Sequence, residues 1–552
     1  MIETHFQTRC ISSLAKVFAD EELRAEPIQA ATALSNETYA YQIAYRSLSI
    51  GRSVRLTIQS DLSPYMVVKA VALVPSELPC YADHDDDVLR TTPGLYPDPL
   101  LPLEDGRLFT YPLQWRSVWI TVELYGEVSI GTYPIEACFE SDDGERLGIA
   151  AFNLTILGAS LPEQRLIHTE WLHTDCIAEY YGVDVFSDAY WHFVDQYVQT
   201  AVKHGINMIL TPIFTPPLDT AVGGERLTVQ LVSVHQLEEG QYQFEFDQLL
   251  KWITLCRERG VVYFEFSHLF TQWGAKHAPK IIGLIDGEQR QLFGWDTDAG
   301  SEEYASFLRQ FIPELLAFLR LHQLESSCYF HVSDEPNLSQ MDDYRKASDL
   351  IGELVGELPV LDALSDYEFY QAGIVKHPVP SSDRMELFLQ DDLPARWMYY
   401  CCGQYKEVSN RFFSMHSSRN RILGFQLYKL RIEGFLHWGF NFWNTQYSRK
   451  AINPYMVTDA GGAFPSGDAF LVYPGEDGPV ESIRLKVLFE AMQDMRALQL
   501  LEQYIGFDHV VAFIEDDLPY ELSLTRYPRS ESWLLSKRER LNRMIMKISR
   551  DT

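Results

Sequence analysis

Several signatures of common enzyme classes are missing from this 552-residue sequence. It contains no Gly-rich phosphate loop, no HExxH zinc motif and no GxSxG nucleophile elbow. It also lacks internal repeats and low-complexity runs. The sequence therefore gives no support to a nucleotide-binding enzyme, a zinc protease, an α/β-hydrolase or a repeat protein.

Cysteine and long apolar segments are also scarce. The eight cysteines are scattered, with no CxxC pair and no regular spacing, so neither a zinc site nor a disulfide framework is indicated. No apolar run reaches the roughly 20 residues that a membrane helix requires. The first ten residues lack the basic and apolar regions of a secretion signal. We therefore expect a cytoplasmic protein with reduced thiols and no membrane partner.

Positive charge is the third deficit. Lys and Arg total 46 against 77 Asp and Glu, which gives a net charge of −31. Such a surface repels phosphate backbones, so we expect neither nucleic acid nor an anionic membrane as a partner. The sequence leaves open whether the protein forms a homo-oligomer.

The length favours two or three domains, and the first is predicted to be all-β. Within residues 1–162, short apolar runs are separated by turn residues, which is typical of a β-sandwich. The clearest predicted strands are 53–58, 65–74, 117–124 and 149–156.

From residue 163 onward, strand-like runs alternate with longer helical runs, which favours βα units. We predict a (β/α)8 TIM-like barrel over residues 163–505. Its predicted strands include 165–172, 207–212, 261–268, 359–364, 384–389 and 397–402. Three of its helices are predicted to start at Ser187, which acts as a cap, at Ser301 and at Ser482. Residues 506–552 are predicted to form a C-terminal extension with a short β segment at 508–514 and a terminal helix. The predicted fold class is thus multidomain, α/β plus β.

One segment, Cys328–Asn337, is central to the functional prediction. It begins as an apolar strand and stops at two adjacent carboxylates, Asp334 and Glu335, followed by Pro336. Acids delivered at the carboxyl end of a buried strand are typical of barrel active sites. The alternative to a catalytic role is that these residues only start a helix, with Ser or Asp as its N-cap and Pro in its first turn.

Other predicted strand ends supply aromatic rings, amides and a further acid. Rings pack on the apolar faces of sugars, while amides and carboxylates bind hydroxyl groups, so the set predicts a carbohydrate site that needs no metal and no cofactor. For each single aromatic residue the alternative is core packing. The candidate substrate-binding residues are Trp397, Tyr399, Trp438, Asn441, Trp443, His268 and Asp468.

Two neighbouring acids favour a particular kind of hydrolysis. Glycosidases with two separate acids place them on either side of the scissile bond, whereas neighbours at a strand end reach different atoms of one sugar. This arrangement suits substrate-assisted catalysis, in which the 2-acetamido oxygen of the sugar is the nucleophile. One acid then holds the acetamido N–H, and the other protonates the leaving oxygen.

Three motifs resemble glycoside hydrolase family 123, also called the DUF4091 family. They are Ser-Asp-Glu-Pro at 333–336, Phe-Leu-His-Trp-Gly-Phe-Asn-Phe-Trp at 435–443, and Gly-Asp-Ala-Phe-Leu-Val-Tyr-Pro-Gly at 467–475, the last followed by Ser-Ile-Arg-Leu at 482–485. The resemblance covers roughly residues 165–505. It implies an amino-terminal β-sandwich, in agreement with the prediction for residues 1–162.

The resemblance also implies an activity, that of a retaining β-N-acetylgalactosaminidase with an oxazolinium intermediate. Asp334 would stabilise the acetamido group and Glu335 would be the general acid/base. The segment 490–496 departs from the usual family pattern. Two alternatives therefore stay open: a glycoside hydrolase of another sugar specificity, and a non-catalytic carbohydrate-binding protein.

Overall fold

The structure, a computed structural model, describes residues 5–551 of a mixed α/β protein with several sheets. The amino-terminal part consists of strands. They are β1 (Phe6–Ser12), β2 (Ala30–Leu34), β3 (Thr38–Ser47), β4 (Arg52–Gln59), β5 (Met66–Ser76), β6 (Gly94–Pro102), β7 (Arg107–Thr110), β8 (Arg116–Glu123), β9 (Gly131–Ser141) and β10 (Arg146–Leu157).

These ten strands form two five-stranded sheets with the orders β1-β3-β8-β5-β6 and β2-β10-β9-β4-β7. The four strands predicted from the sequence are confirmed as parts of β4, β5, β8 and β10. In β10, buried residues alternate with more exposed ones, as expected for a strand with one face on a core. Side chains from both sheets share that core, including Tyr41, Ile120, Phe139 and Phe152.

Beyond residue 160, strands and helices alternate. The elements are β11 (Ile167–Glu170), α1 (Thr174–Tyr181), α2 (Asp188–Lys203), β12 (Met208–Thr211), β13 (Ser233–Glu238), β14 (Gln241–Glu245), α3 (Asp247–Arg259), β15 (Tyr263–Phe266), β16 (Ile281–Ile285), β17 (Glu288–Phe293), α4 (Glu302–Leu321), β18 (Cys328–Tyr329), α5 (Met341–Val355), β19 (Leu361–Leu364), α6 (Glu368–Gln371), β20 (His377–Pro380), α7 (Met385–Phe388), β21 (Trp397–Tyr399), α8 (Ser417–Arg421), α9 (Leu423–Lys429), β22 (Gly434–His437), β23 (Tyr473–Pro474) and β24 (Pro479–Val480).

A parallel sheet organises this region. Six strands pair in the order β18-β15-β12-β11-β22-β21, and every pair is parallel. Strands β19 and β20 form a separate parallel pair. Single parallel bridges, Phe330 to Val360 and Ser381 to Tyr399, connect that pair with the two ends of the six-stranded sheet. The carboxyl ends of these strands therefore meet on one side of the molecule.

Two parts of this region differ from the sequence prediction. The predicted strand 384–389 is wrong: Met385–Phe388 is helix α7, and the strand lies earlier, at His377–Pro380. Two prolines in that short strand concealed it, because proline normally argues against a ladder position. A four-stranded sheet, β14-β13-β16-β17, also occupies connections for which no strand was predicted.

Helix α10 (Ile483–Ile505), helix α11 (Phe507–Glu515) and helix α12 (Glu531–Asp551) complete the chain. The β segment predicted at 508–514 is therefore wrong, because these residues lie in α11. Val510, Phe513 and Ile514 are the buried residues of this helix, at positions i, i+3 and i+4. This helical spacing of apolar residues outweighs the strand preference of valine and isoleucine.

The predicted helix starts are confirmed at three serines. The side-chain oxygens of Ser187, Ser301 and Ser482 accept hydrogen bonds from backbone N–H groups in the first turns of α2, α4 and α10. Within residues 5–551, no helix combines the length and the apolar character that spanning a membrane would require.

A buried ion network joins the end of the chain to its beginning. The Arg538 guanidinium on α12 donates to Glu37 at 2.8 Å and to Asp494 of α10 at 2.7 Å. Arg421 donates to the same Asp494 at 2.7 Å and to Glu490 at 2.9 Å. Because these groups are buried, each charge depends on its partner for stabilisation.

Candidate active site

A cavity of about 230 Å³ opens at the carboxyl ends of the parallel strands. This volume lies near the lower end of the range for small-molecule sites, ~300–1000 Å³. The residues that line it lie on seven of the strands or in the loops after them. From the first half of the sheet region these are Trp171 after β11, Leu218 and Asp219 after β12, Gln272 and Trp273 after β15, and Asp334 and Glu335 after β18. The others are Ala363 on β19, Tyr399, Cys401 and Cys402 on or after β21, and Leu436, Trp438, Gln446 and Phe464 on or after β22.

Asp334 and Glu335 both line this cavity, although consecutive strand residues normally point to opposite faces. The backbone explains the exception: Glu335 has a left-handed conformation, with φ of 43°. The backbone N–H of Glu335 donates to the Ala363 carbonyl at 3.0 Å, and the backbone carbonyl of Asp334 accepts a hydrogen bond from the backbone N–H of Trp273 at 2.8 Å. Neighbouring chain segments thus fix the turn that brings the two carboxyls to one cavity.

Burial and mutual repulsion disfavour two charges in this pair. Burial raises the pKa of Asp334 well above its ordinary value, and the Glu335 charge raises it further, while the charge on His331 opposes the rise. Burial also raises the pKa of Glu335, against a hydrogen bond of 2.6 Å that the Tyr399 hydroxyl donates to its Oε1 atom. The two carboxyls therefore hold a proton between them more readily than isolated acids would.

A protonated histidine lies beneath the pair. His331 Nε2 is 2.6 Å from Glu265, and its Nδ1 is 3.4 Å from Asp362. Burial opposes a charge on the ring, but hydrogen bonds to Asp362 and Glu265 raise the pKa of His331 to about 10. The ring of His268 stacks on His331, with centroids 4.3 Å apart. Burial and the His331 charge lower the pKa of His268 well below its ordinary value, so His268 is neutral.

Three of these side chains have a spacing that could hold a metal ion. Ligand atoms of His268, His331 and Asp362 all lie within 4.8 Å of one another. However, both ring nitrogens of His331 already have carboxylate partners, and its raised pKa favours the imidazolium form, which cannot ligate a metal. The residues therefore fit a hydrogen-bonded ion network better than a metal centre.

Trp438 also lines the cavity, and its Nε1 donates to Asp468 at 3.0 Å. Burial raises the pKa of Asp468 to about 7, and the Arg411 charge opposes the rise. Arg411 itself forms a two-point ion pair with Glu170, at 2.6 and 2.9 Å, and its Nη2 lies 2.7 Å from His437 Nδ1. Buried charges behind the wall thus fix the orientation of the Trp438 indole.

The structure brings some of the sequence-predicted site residues together and separates others. Tyr399 and Trp438 line the cavity with Asp334 and Glu335. His268 and Asp468 lie one layer behind the lining, in contact with Trp171 and Trp438 respectively.

Trp397, Asn441 and Trp443 are buried away from the cavity lining. The Trp397 ring packs so closely over Gly434 that a Cβ atom there would lie 2.0 Å from it. Asn441 exchanges hydrogen bonds with the backbone of His173, at 2.8 and 3.0 Å. Trp443 Nε1 donates to the Val472 carbonyl at 3.2 Å. All three side chains have internal partners in the core.

Several lining residues were not among the sequence-predicted site residues. Asp219, Gln272, Trp273 and Gln446 lie on long connections that follow strands of the parallel sheet. The sequence points to site residues mainly where they lie close to the end of a strand. For residues farther along the loops, the signal in the sequence is an aromatic or acidic residue in a long loop after a strand. That signal alone does not show which way the loop folds.

Comparison with known proteins identifies the family. Residues 171–501, more than half of the chain, match the model of the glycoside hydrolase 123 catalytic domain. No curated protein sequence matches the chain. The fold resembles that of a family 123 glycoside hydrolase from Clostridium perfringens, whose structure was studied for glycolipid glycan hydrolysis, with a TM-score of 0.76 and 16% identity over 99% of this chain and 98% of the other.

Two other structures resemble the chain much less. An endo-β-1,4-mannanase from Thermotoga petrophila has a TM-score of 0.34 at 12% identity, over 61% of this chain and 77% of the other. A β-glucuronidase from Bacteroides uniformis has a TM-score of 0.25 at 11% identity, over 89% of this chain and 51% of the other. The family match therefore carries the assignment: this chain belongs to glycoside hydrolase family 123 and is a glycosidase that acts on carbohydrate.

Proposed function

We propose that this glycosidase removes terminal 2-acetamido sugars by retaining, substrate-assisted catalysis. The observation that carries the proposal is the left-handed Glu335, which turns two consecutive carboxyls into one cavity. Separate nucleophile and acid residues on opposite sides of a bond would not need to be neighbours. Adjacent acids can instead contact two different atoms of one sugar, the acetamido nitrogen and the leaving oxygen.

In this mechanism the acetamido oxygen attacks C1 of the terminal sugar while the bond from C1 to the leaving oxygen breaks. Glu335 gives its proton to the leaving oxygen. Asp334 accepts a hydrogen bond from the acetamido N–H and stabilises the positive oxazolinium ring. Glu335 then takes a proton from a water molecule that attacks C1, which reopens the ring and restores the original anomeric configuration.

Substrate binding must place the proton that the pair holds on Glu335. In the free protein, burial raises the pKa of both carboxyls, and the Tyr399 hydrogen bond opposes the rise at Glu335. An acetamido N–H donated to Asp334 favours its ionised form, as does the His331 imidazolium. The proton shared by the pair then belongs on Glu335, where the reaction requires it.

The size and walls of the cavity support a single terminal sugar. Trp171, Tyr399 and Trp438 offer aromatic surfaces around the two acids. We propose a β-N-acetylgalactosaminide as the substrate type, from the family resemblance of the Asp-Glu-Pro segment. Glycolipid glycans, studied with the Clostridium perfringens enzyme, are a substrate class to test.

We further propose that the eight parallel strands act as one closed ring. The single bridges at Phe330 and Ser381 support this closure of the (β/α)8 type. The proposed domains are a β-sandwich at 1–162, the barrel at 163–505 and an extension at 506–552. The cytoplasmic location remains a prediction, and the oligomeric state stays open.

The test uses 4-nitrophenyl glycosides with and without a 2-acetamido group. We expect turnover of 2-acetamido substrates only, and a fall of about 10²–10³ in kcat for Asp334→Asn. An N-acetylhexosamine thiazoline should inhibit the wild type by mimicking the oxazolinium ring. Turnover of plain glycosides that is unchanged in Asp334→Asn would reject the assisted mechanism. Sugar binding without any turnover would favour the non-catalytic alternative.

A further inference from the structure

The cavity mouth carries an aromatic residue that the proposed mechanism does not use. Trp273 is 38% exposed although it lines the cavity, whereas Trp171, deeper in the same cavity, is 2% exposed. The backbone N–H of Trp273 donates to the Asp334 carbonyl at 2.8 Å, which fixes the backbone of Trp273 relative to the proposed catalytic acids. Its side chain is partly exposed to solvent where it lines the cavity.

A second ring flanks Trp273. Tyr447 meets it edge to face, with ring centroids 5.6 Å apart. The Arg449 guanidinium lies 5.2 Å from the centre of the Tyr447 ring. Together, Trp273 and Tyr447 form an aromatic corner beside the cavity opening, and Gln446 places an amide in the cavity lining next to it.

Asp219 ties this corner to a second loop. Its Oδ2 accepts the Tyr447 N–H at 3.0 Å, and its carbonyl accepts the Ser448 hydroxyl at 2.7 Å. The Asp219 N–H donates to the Gln272 side chain, immediately before Trp273. The loops after β12, β15 and β22 therefore support one another where the aromatic corner is built.

Backbone conformation at this corner is unusual. Asp219, Trp273, Tyr447 and Ser448 are all left-handed, with φ of 38°, 59°, 62° and 51°. Residues other than glycine rarely adopt this conformation because it costs free energy. Four such residues in contacting loops indicate that the loops are shaped to present particular side chains, as at ligand-binding sites.

We propose that Trp273 and Tyr447 form the subsite for the sugar ring on the leaving-group side of the scissile bond. This inference rests on the proposed function. A terminal sugar that fills the closed end of the cavity must leave the rest of its glycan at the mouth, where the exposed indole offers a flat apolar surface to a sugar face. The side chains of Gln272 and Gln446 supply amides for its hydroxyls. The preferred substrate is therefore a glycan in which a second sugar follows the terminal one.

The experiment compares two substrates with the same terminal 2-acetamido sugar. One is a disaccharide, and the other is the methyl glycoside, which lacks a second ring but has an equally unactivated alcohol as its leaving group. For Trp273→Ala we expect kcat/KM to fall about tenfold on the disaccharide and to stay within about twofold on the methyl glycoside. Trp273→Phe, which keeps a ring, should recover part of the loss.

Tyr504→Ala is the matched control, because Tyr504 has the same 38% exposure but lies near the end of α10, outside the cavity lining. Tyr504→Ala should leave kcat/KM unchanged on both substrates. An equal fall on both substrates with Trp273→Ala, or no fall on the disaccharide, would overturn the subsite.

Failure of the proposed function gives a different result. If the wild type hydrolyses neither substrate, titration calorimetry can compare the binding of the disaccharide and the methyl glycoside. Tighter disaccharide binding that disappears in Trp273→Ala would uphold the subsite without hydrolysis. Equal affinities for the two ligands would reject it.

Discussion

The Tyr399 hydroxyl donates a hydrogen bond of 2.6 Å to Oε1 of Glu335. Tyr399 is buried, and burial raises its pKa well above the ordinary value, so the phenol keeps its proton and remains a donor. A donor to an ionised carboxyl stabilises the charged form. Tyr399 thereby limits how far burial raises the pKa of the proposed general acid.

Removal of that donor should change the pH dependence of the reaction. In Tyr399→Phe the Glu335 carboxylate loses a hydrogen bond, so its pKa rises. A general acid with a higher pKa stays protonated to higher pH, and the alkaline limb of the kcat/KM profile should therefore move upward. Measuring kcat/KM from pH 4 to 10 checks this, and a downward or absent shift would contradict the role of Tyr399.

Replacing the proposed acid should affect substrates according to their leaving groups. Glu335→Gln cannot donate the proton, so we expect kcat/KM to fall by about 10²–10⁴ on unactivated alkyl and sugar glycosides. A 2,4-dinitrophenyl glycoside needs little protonation and should lose much less. Added azide should accelerate its turnover and give the β-glycosyl azide. An equal loss on every substrate would assign Glu335 another role.

The His331 network should affect stability in a pH-dependent way. His331→Gln leaves Glu265 and Asp362 buried without their cation, which should lower the free energy of unfolding by about 3–5 kcal/mol. The folded-state pKa of His331, about 10, lies above its ordinary value of 6.5. Its contribution is therefore complete below pH 6.5 and is lost as the pH rises through 10.

Urea unfolding of both proteins at several pH values measures this contribution. The difference between wild type and variant should stay constant below pH 6.5 and shrink toward pH 10. A difference that grows with pH would show that His331 is neutral in the folded protein.

A pair of thiols in the cavity predicts sensitivity to trivalent arsenicals. Cys401 and Cys402 both line the cavity, and a hydrogen bond from Cys402, together with burial, raises the pKa of Cys401. Phenylarsine oxide condenses with two thiols, forming two As–S bonds and releasing water. We expect inhibition that a dithiol reverses and that Cys402→Ser abolishes. Cys80→Ser, at a partly buried cysteine outside the cavity lining, is the control and should remain sensitive.

Much of the framework could be predicted from local sequence patterns. Serine caps, amphipathic helices and the short strand β18 upstream of Asp334 depend on neighbouring residues alone. The helix at 507–515 was predicted as a strand, because Val510 and Ile514 favour strands locally and their helical spacing covers barely two turns. Strand β20 was missed because its two prolines hide a short buried strand.

The active-site lining was harder to predict, because long-range contacts determine it. Trp397 and Trp443 follow the same aromatic pattern as Trp438, yet they pack against Gly434 and Val472 in the core. Trp273 lies in a loop whose backbone is hydrogen-bonded to Asp334, 61 positions away in the sequence by number. No pattern within a short window of sequence contains such contacts.

The Arg538 bridge from α12 to Glu37 and Asp494 has a practical consequence for anyone who shortens the protein. A truncation before α12 removes Arg538, so that the buried Glu37 loses its ion-pair partner and Asp494 of α10 keeps Arg421 but loses the second of its two arginines. Even though both proposed catalytic acids lie far upstream in the chain, a recombinant version that stops at residue 505 should be insoluble or prone to proteolysis. The last forty-odd residues belong to the folding unit of the first forty.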